Sequence, residues 1–445
     1  MNDDRNTPQR SSAPRVVPGA VLWPFILVTT LFALWGFAND VTNPMVKAFS
    51  RILQMNNFQG SLVQFAFYGG YFAMAFPAAL FIKRYSYKAG ILVGLGLYAA
   101  GALLFIPGSM MMAFWPFLVA YFIITCGLSF LETSANPYVL AMGPEETATR
   151  RLNLAQSFNP MGSLLGMFTA QQFILARLNP ATAAERAAMN PEALRAVTAS
   201  DLGIVRLPYV GIAIVIVVVF FIIAITKMPS ASSGDRSLNV GPTLRRLLAN
   251  KRYLEGVSAQ FFYVGAQIMC WTFIIHYATL ELGMDEVTAQ GYNIVAMMIF
   301  VTSRFICTFL LKYISPGGLL MTLAVGGGVL TLGTIVIHGI VGLYCLVGIS
   351  ACMSLMFPTI YGIALRGLGD DTKIAAAGLI MSILGGSVMP PLQGAIIDMG
   401  TISLGSFTVA AVRASFVLPL ICFVVIARYG RRTSVLHGRP AGSPG

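Results

Sequence analysis

The sequence predicts an all-α membrane protein with twelve transmembrane helices in two six-helix bundles. Its 445 residues are 56% hydrophobic and only 10% charged, whereas about a quarter of the residues in soluble domains are charged. Apolar stretches of about twenty residues, the length that crosses a bilayer, recur along the chain. A polar segment at 229–250 divides them six and six, and it contains the flexible sequence PSASSGDRS.

The twelve apolar stretches follow one another with short polar connections. The first six are predicted near 21–48, 59–83, 89–108, 113–142, 152–177 and 207–227. The second six are predicted near 253–280, 288–313, 318–337, 340–365, 373–398 and 407–428. The N-terminal half is therefore expected at 21–228 and the C-terminal half at 251–430, with disordered tails at 1–20 and 431–445. The longer connection near 178–206 is predicted to hold a short surface helix.

The basic residues predict the orientation in the membrane. An even number of spans puts both termini on one side. With that arrangement, twenty-one Lys and Arg residues fall on the side of the termini and seven on the other, while Arg304 lies within a span. Positive charge concentrates on the cytoplasmic side of membrane proteins. Both termini are therefore predicted to be cytoplasmic, in a multi-pass protein of the plasma membrane, such as the bacterial inner membrane.

The same composition argues against several other classes of protein. The net charge of +12 comes from residues that flank the spans, so no nucleic-acid partner is expected. The six cysteines lie in apolar stretches without metal-ligand spacing, and we interpret them as small buried side chains rather than disulfides. The three histidines are scattered, and no grouping has the spacing of a catalytic or metal site. We predict no catalytic residues, no metal and no cofactor.

Glu132 is the most informative residue in the chain. It lies within the apolar sequence LSFLETSANP, and no basic residue occurs between Lys88 and Arg150. A carboxylate in the middle of a membrane is costly and is usually functional. The alternative is an acid near a helix end or one paired with a structural arginine. We interpret Glu132 as part of a buried polar site that binds a proton.

Polar residues also enter the first and fifth stretches. In the sequence WGFANDVTNP, Pro44 disfavours helix at Asn43 and predicts a broken helix that lines a cavity. The alternative is a helix that ends at Ala38. In the fifth stretch, Gln156 and Asn159 are three residues apart and share a helix face. Amides of this kind either bind sugar hydroxyls, as donors and acceptors, or join neighbouring helices.

The seventh stretch carries a stripe of amides and aromatic rings, formed by Gln260, Tyr263, Gln267 and Trp271. On an ideal helix these residues fall within about 80° of one another. Rings beside amides suit a pyranose, which has an apolar C–H face and a hydroxylated edge; the alternative is aromatic packing between helices. The remaining candidates for sugar contact are Asn39, Asn43, Gln64, Tyr68, Asn136 and Tyr361.

The chain resembles the fucose permease family, the sugar–proton symporters of the major facilitator superfamily. The resemblance covers nearly the whole chain, from FALWGFAND through QFAFYGGYF, KRYSYKAGI and LETSANPYV to FPTIYGIALRGLGDDTK and GGSVMPPLQGAIID. The most specific part is LETSANP followed by RLNLAQSFN. The resemblance implies the major facilitator fold, a cavity between the two halves, alternating access, and a monosaccharide carried together with a proton.

The resemblance also implies residue roles, with one departure. The acid that couples the proton on the family's fourth helix matches Glu132, and the amides near the sugar on its fifth helix match Gln156 and Asn159. The family's first helix often reads Asn-Asn-x-Asn-Asp, whereas this chain ends that pattern at Asn43 and carries its acid at Asp40. The acid is displaced by about one helical turn. Asp40 either takes over its role or the two-carboxylate arrangement is altered.

These observations favour a secondary transporter that imports a monosaccharide, fucose or a related hexose, by proton symport. Glu132 would carry the proton, and Asp40 would orient sugar hydroxyls or tune Glu132. The protein is expected to act as a monomer in the lipid bilayer. A sodium-coupled or facilitative hexose transporter of the same fold is the alternative. An intramembrane enzyme and a sugar sensor are more remote alternatives.

Overall fold

The structure is a computed structural model that describes residues 15–54, 57–181, 183–229, 240–404 and 407–436. Nearly all of this part of the chain is helical. The N-terminal half contains α1 (Leu22–Ile52), α2 (Asn57–Arg84), α3 (Tyr87–Leu103), α4 (Phe105–Met111), α5 (Phe114–Ala141), α6 (Ala148–Gln156), α7 (Asn159–Thr169), α8 (Ala183–Ala187) and α9 (Pro191–Ile225).

The linker between the halves ends in a helix, α10 (Val240–Ala249). The C-terminal half that follows contains α11 (Lys251–Leu282), α12 (Glu286–Leu310), α13 (Pro316–Val336), α14 (Ile340–Met353), α15 (Met356–Leu365), α16 (Thr372–Met381), α17 (Gly385–Ile397), α18 (Ala411–Ala414) and α19 (Val417–Leu436). Between α17 and α18 a two-stranded antiparallel hairpin, β1 (Thr401–Leu404) and β2 (Phe407–Ala410), replaces helix.

Ten segments of the described chain are helical, long and apolar enough to cross a membrane. Two further helical segments lie where the remaining two of the twelve predicted spans are expected, which is consistent with that count. One is α2, and the other consists of α6, α7 and a π-helical turn at Ala170–Ile174. The last span begins later than predicted, because residues 407–410 form β2 instead of helix. It also ends later, since its helix continues to Leu436, within the segment predicted as a disordered tail.

The first helix contradicts the predicted break. α1 is helical without interruption from Leu22 to Ile52, so it neither breaks at Pro44 nor ends at Ala38. A proline removes one backbone hydrogen bond from a helix. Transmembrane helices tolerate that loss where neighbouring helices or polar side chains satisfy the freed carbonyl group. The polar residues Asn39 and Asp40 therefore lie on a continuous helix.

The polar connections contain more helix than the sequence predicts. The surface helix expected near 178–206 is α8, but α9 also begins in this connection, where the side chain of Asn190 accepts a hydrogen bond of 2.7 Å from the Ala193 N–H. The segment predicted as a flexible linker contains α10, which buries Thr243 and Leu247. Arg246 on this helix forms an ion pair of 2.7 Å with Asp371, which fixes α10 against the C-terminal half.

Glycines let α1 and α7 pack with their backbones in contact. A Cβ atom added at Gly162 would lie 1.9 Å from the Ala33 carbonyl oxygen, and one added at Gly36 would lie 2.1 Å from that of Asn159. Only glycine fits at such distances. This contact places the start of α7 against the middle of α1 and so brings the polar residues of both helices together.

Several contacts join the two halves on the side of the membrane that bears the chain termini. The Asn153 amide donates to the Thr359 hydroxyl at 3.2 Å, and Glu145 pairs with Arg366 at 3.5 Å. Lys373 lies 5.5 Å from the centre of the Tyr87 ring, close enough for a cation–π contact. These contacts hold the two halves together on the termini side.

Candidate functional site

A cavity of about 210 Å³ lies between the halves, and helices from both of them form its walls. Of the residues predicted from the sequence, nine line it: Asn39, Asp40, Tyr68, Glu132, Gln156, Asn159, Tyr263, Gln267 and Trp271. The side chains of two other predicted residues, Asn43 and Gln64, lie outside the described part of the structure. The remaining three, Asn136, Gln260 and Tyr361, are buried away from the cavity wall.

Glu132 lies at the wall of the cavity, almost fully buried in α5, with 5% of its surface exposed. The Tyr71 hydroxyl donates a hydrogen bond of 3.0 Å to its carboxylate oxygen Oε1. None of the ion pairs in the described residues includes Glu132. The alternative of a carboxylate neutralised by a structural arginine therefore finds no support. A neutral donor is instead suited to both the protonated and the ionised carboxyl group.

Asn136 contacts Gln156 rather than the cavity. It lies one turn beyond Glu132, fully buried, and its side-chain oxygen accepts a hydrogen bond of 2.7 Å from the Gln156 amide. Its own amide nitrogen donates to the Glu132 carbonyl oxygen at 3.1 Å. Asn136 therefore does not line the cavity in this conformation, and its contact with the sugar stays a prediction. Its amide group is already used to hold Gln156 against α5.

Pro160 explains why the fifth span is divided at the cavity. The ring nitrogen of Pro160 has no hydrogen, so the Gln156 carbonyl oxygen four residues earlier loses its usual helical donor. Arg304 supplies the replacement, because its Nη1 donates to that oxygen at 3.0 Å. Arg304 is buried on α12, and its guanidinium also lies 4.5 Å from the centre of the Phe300 ring. A residue of the C-terminal half thus stabilises a helix end in the N-terminal half.

Gln156 and Asn159 line the cavity and also join helices. The Gln156 amide nitrogen is bound to Asn136, and the Asn159 amide nitrogen donates to the Phe32 carbonyl oxygen at 3.1 Å. These bonds show that both amides join neighbouring helices, and their binding to sugar hydroxyls stays a prediction. The contacts within the protein fix their orientation, and their place on the cavity wall makes them candidates for a ligand.

The predicted stripe on α11 is only partly at the cavity. Tyr263 and Trp271 line the wall, but their polar atoms bind the protein: the Tyr263 hydroxyl donates to the Met353 carbonyl oxygen at 3.1 Å, and the Trp271 indole donates to the Ser350 hydroxyl at 3.2 Å. These bonds fix the rings and leave their faces for a ligand. Gln260 lies too far along α11 to reach the wall and is fully buried.

Tyr361 is also separated from the cavity. Phe357, one turn earlier on α15, lines the wall, and its ring is nearly parallel to that of Tyr361, with 6.3 Å between the ring centres. The cavity therefore ends at Phe357, and Tyr361 does not line it in this conformation, so its contact with the sugar stays a prediction. Asn39, by contrast, lines the wall, and its side-chain oxygen has no hydrogen-bond partner among the described residues.

Sequence reasoning did not predict several cavity residues. Ser163 and Arg304 are polar, and Trp35 and Phe300 supply further aromatic surface. Arg304 carried a usable signal, because an arginine within an apolar span usually faces the interior of the helix bundle. The aromatic residues of the cavity had no such signal in the sequence, because the chain contains many aromatic residues that pack between helices.

Comparison with known proteins agrees with this architecture. The family model of the Major Facilitator Superfamily matches residues 26–390. The chain is 52% identical to the L-fucose-proton symporter of Haemophilus influenzae, over 94% of this chain and 98% of that protein. It is 32% identical to a glucose/galactose transporter of Brucella abortus, over 91% of this chain and 92% of that protein.

A solved structure shows the same fold. It is the crystal structure of FucP, a Major Facilitator Superfamily transporter, in the outward conformation. The two chains superimpose with a TM-score of 0.85 and 36% sequence identity, over 93% of this chain and 99% of that chain. With the family match and the curated relatives, this likeness confirms the fold predicted from the sequence. The chain belongs to the Major Facilitator Superfamily and, within it, to the fucose permease family.

Proposed function

We propose that the protein imports a monosaccharide, fucose or a related hexose, by proton symport through alternating access. The membrane is a bacterial inner membrane, and both termini are cytoplasmic. The observation that carries the proposal is the setting of Glu132: a buried carboxyl group without a cationic partner among the described residues, at the wall of a cavity between two six-helix halves. Two relatives of this chain are named L-fucose-proton symporters, and they support the same proposal.

The coupling follows from the cost of a buried charge. When Glu132 is ionised, closing both sides of the cavity around it would leave a carboxylate in a medium of low polarity. Protonation removes that charge, so the protein can pass through the closed state and open to the cytoplasm. Tyr71 donates to the ionised group and can turn to remain bonded to the neutral one. Asp40, which also lines the cavity, orients sugar hydroxyls or tunes the proton affinity of Glu132.

The sugar is held by amides and aromatic faces. Gln156, Asn159 and Gln267 supply amide groups at the cavity wall, and Asn39 supplies a side-chain oxygen. Trp271 supplies a ring fixed in orientation by its bond to Ser350. An apolar surface with a few polar groups at defined positions is the usual form of a small-molecule site. No covalent step is required, so the protein is a transporter rather than an enzyme.

The two halves, at 21–228 and 251–430, would move as rigid bodies about the cavity, in a monomeric protein. The alternative is a sodium-coupled or facilitative hexose transporter of the same fold. The 32% identical relative named as a glucose/galactose transporter keeps open the choice of hexose. Competition by fucose, glucose, galactose and mannose for binding to the purified protein, repeated across pH and without sodium, distinguishes these possibilities.

Glu132→Gln tests the proton coupling directly. Glutamine keeps the shape and hydrogen bonding of a protonated glutamate but cannot release a proton. In proteoliposomes the variant should lose uphill, proton-driven sugar accumulation while retaining sugar exchange. Glu146→Gln, at an exposed position in the turn before α6, is the control and should behave like the wild type. Sugar-induced alkalinisation of the medium by Glu132→Gln would contradict the proposal.

A further inference from the structure

Arg304 is a buried cation at the wall of the cavity. Its side chain is 4% exposed, and it is the one basic residue among the described residues that line the cavity. None of the ion pairs in the described part of the chain includes it. Burying a cation without a carboxylate costs free energy, and an arginine within a membrane span is usually functional. Arg304 is therefore a candidate for a role beyond packing.

The guanidinium of Arg304 is fixed in orientation and has donors left over. Its Nε donates to the Ser354 carbonyl oxygen, and its Nη1 donates to the Gln156 carbonyl oxygen at 3.0 Å. The ring of Phe300, whose centre is 4.5 Å from the guanidinium carbon, supports it from one side. A guanidinium has five N–H donors, and no hydrogen bond within the described residues uses Nη2. The Nη2 group therefore offers two positioned donors at the cavity wall.

The two amides of the fifth span offer the opposite kind of group. The Asn159 nitrogen donates to the Phe32 carbonyl oxygen at 3.1 Å. The Gln156 nitrogen donates to the Asn136 side-chain oxygen at 2.7 Å, and the Asn136 nitrogen is itself bound to the Glu132 carbonyl oxygen. Because carbonyl oxygens only accept, these bonds fix which end of each amide is the nitrogen. The end that remains for a ligand is an oxygen in both residues.

Other groups make the wall still richer in acceptors. The side-chain oxygen of Asn39 has no partner among the described residues, and Glu132 adds a carboxyl group. The hydroxyls of a monosaccharide can donate to such oxygens. Its ring oxygen carries no hydrogen, so it can only accept and needs a donor from the protein. Tyr68 and Gln267 can donate or accept, whereas Arg304 only donates. Arg304 is therefore the group that matches a ring oxygen best.

We propose that Nη2 of Arg304 donates a hydrogen bond to the ring oxygen of the bound monosaccharide. This proposal rests on the sugar transport proposed above. The sugar is then held from both halves, since Arg304 belongs to the C-terminal half and the amide oxygens of Gln156 and Asn159 accept from hydroxyls on the other side. The contact selects a sugar ring over a carbocyclic polyol such as an inositol, which carries hydroxyls but no ring oxygen.

A sugar without its ring oxygen tests the contact in the wild-type protein. The two probes are L-fucose and its carbocyclic analogue, in which a methylene group replaces the ring oxygen. If the competition experiment above ranks another hexose first, that hexose and its carbocyclic analogue are used. The wild type should bind the sugar about tenfold or more tightly than the analogue, because a hydrogen bond from a charged donor is lost. Equal affinities would overturn the proposal without any variant.

Arg304→Met assigns the lost bond to Arg304. Methionine is also long and unbranched but has no donor. The ratio of the two affinities should fall from about tenfold or more in the wild type to about one in the variant, because neither probe then meets a donor at this place. A variant that weakens both probes but keeps the wild-type ratio would show that Arg304 only positions Gln156. That result would also overturn the proposal.

Gln267→Met is the matched control, because it places the same side chain at another polar position of the cavity. It should weaken both probes by a similar factor and keep the ratio between them. If Arg304→Met does not fold, the comparison is made in Arg304→Met with Pro160→Ala, against Pro160→Ala alone. The alanine N–H can bond to the Gln156 carbonyl oxygen that Arg304 would leave without a donor.

The outcomes separate this contact from the proposed function. If no monosaccharide in the competition panel binds to the wild type, the sugar transport proposed above is overturned, and the contact with it. If a sugar binds and its carbocyclic analogue binds equally well, only the contact of Arg304 is overturned. A preference for the sugar that disappears in Arg304→Met and persists in Gln267→Met would establish the contact.

Discussion

At the scale of single residues, the site combines one buried acid with neutral neighbours. Glu132 accepts a hydrogen bond from the Tyr71 hydroxyl. None of the ion pairs among the described residues includes it. Arg304 lies in the same cavity, but its guanidinium donates hydrogen bonds to the carbonyl oxygens of Ser354 and Gln156. The absence of an ion pair allows Glu132 to change its protonation state, because a cation close to the carboxyl group would favour its ionised form.

Asp40 is the second acid of the cavity, and its role can be tested. Asp40→Asn should lower sugar uptake about tenfold or more, since a hydrogen bond to a charged group is worth about 1.5–3 kcal/mol. Adding Asn43→Asp should restore part of the activity, because positions 40 and 43 lie one turn apart on a continuous helix. Uptake of labelled sugar over about pH 5.5–8 is the measurement, because the pH dependence reports groups that must change protonation state during transport. Near-wild-type uptake by the single variant would show that Asp40 has no part in transport.

At the scale of helices, the site depends on residues that shape the backbone. Pro160 divides the fifth span and frees the Gln156 carbonyl oxygen, which Arg304 then binds. Gly36 and Gly162 let α1 and α7 approach until their backbones touch. These features bring the polar segment of α1 against the polar start of α7. The geometry of the cavity therefore rests on small and helix-breaking residues as much as on the polar ones.

Gly162→Ala tests the contact between α1 and α7. The added methyl group would overlap the Ala33 carbonyl oxygen, and overpacking of this kind costs about 1–3 kcal/mol. The midpoint of thermal unfolding in detergent should fall, and sugar binding should weaken because α7 moves from α1. Gly96→Ala is the control, since a Cβ at Gly96 meets no atom within 4 Å. It should leave stability unchanged or slightly raised. Equal unfolding midpoints for the two variants would refute the argument.

At the scale of the whole molecule, the two halves contact each other on the termini side. The contacts there include Asn153 with Thr359 and Glu145 with Arg366. In the proposed transport cycle such contacts would break when the protein opens on the termini side and would re-form when it returns. An exposed ion pair contributes little stability, so the closed state remains easy to leave, as a transport cycle requires.

A disulfide across this contact should stop the cycle. A Cβ atom at Gly362 would lie 3.3 Å from the Cβ of Thr149, close to the separation of about 3.5–4.5 Å in a disulfide. The double variant Thr149→Cys, Gly362→Cys should lose transport on oxidation and regain it on reduction. Sugar binding from the outer side should persist while the bridge is formed. Each single variant is a control, and transport that continues through the bridge would show that these halves do not separate here.

The sequence by itself determined the architecture, because length and hydropathy dictate how often a chain crosses a bilayer. It also identified Glu132, because an acid in an apolar stretch is conspicuous without any structure. Only the tertiary structure decided which polar residues share a cavity. Gln260 fits the helical periodicity of a binding face, yet packing of α11 on α15 buries it beyond the cavity, as it does Tyr361. Periodicity gives the face of a helix but not how far along the helix the cavity ends, and that depends on neighbours distant in the sequence, such as Phe357.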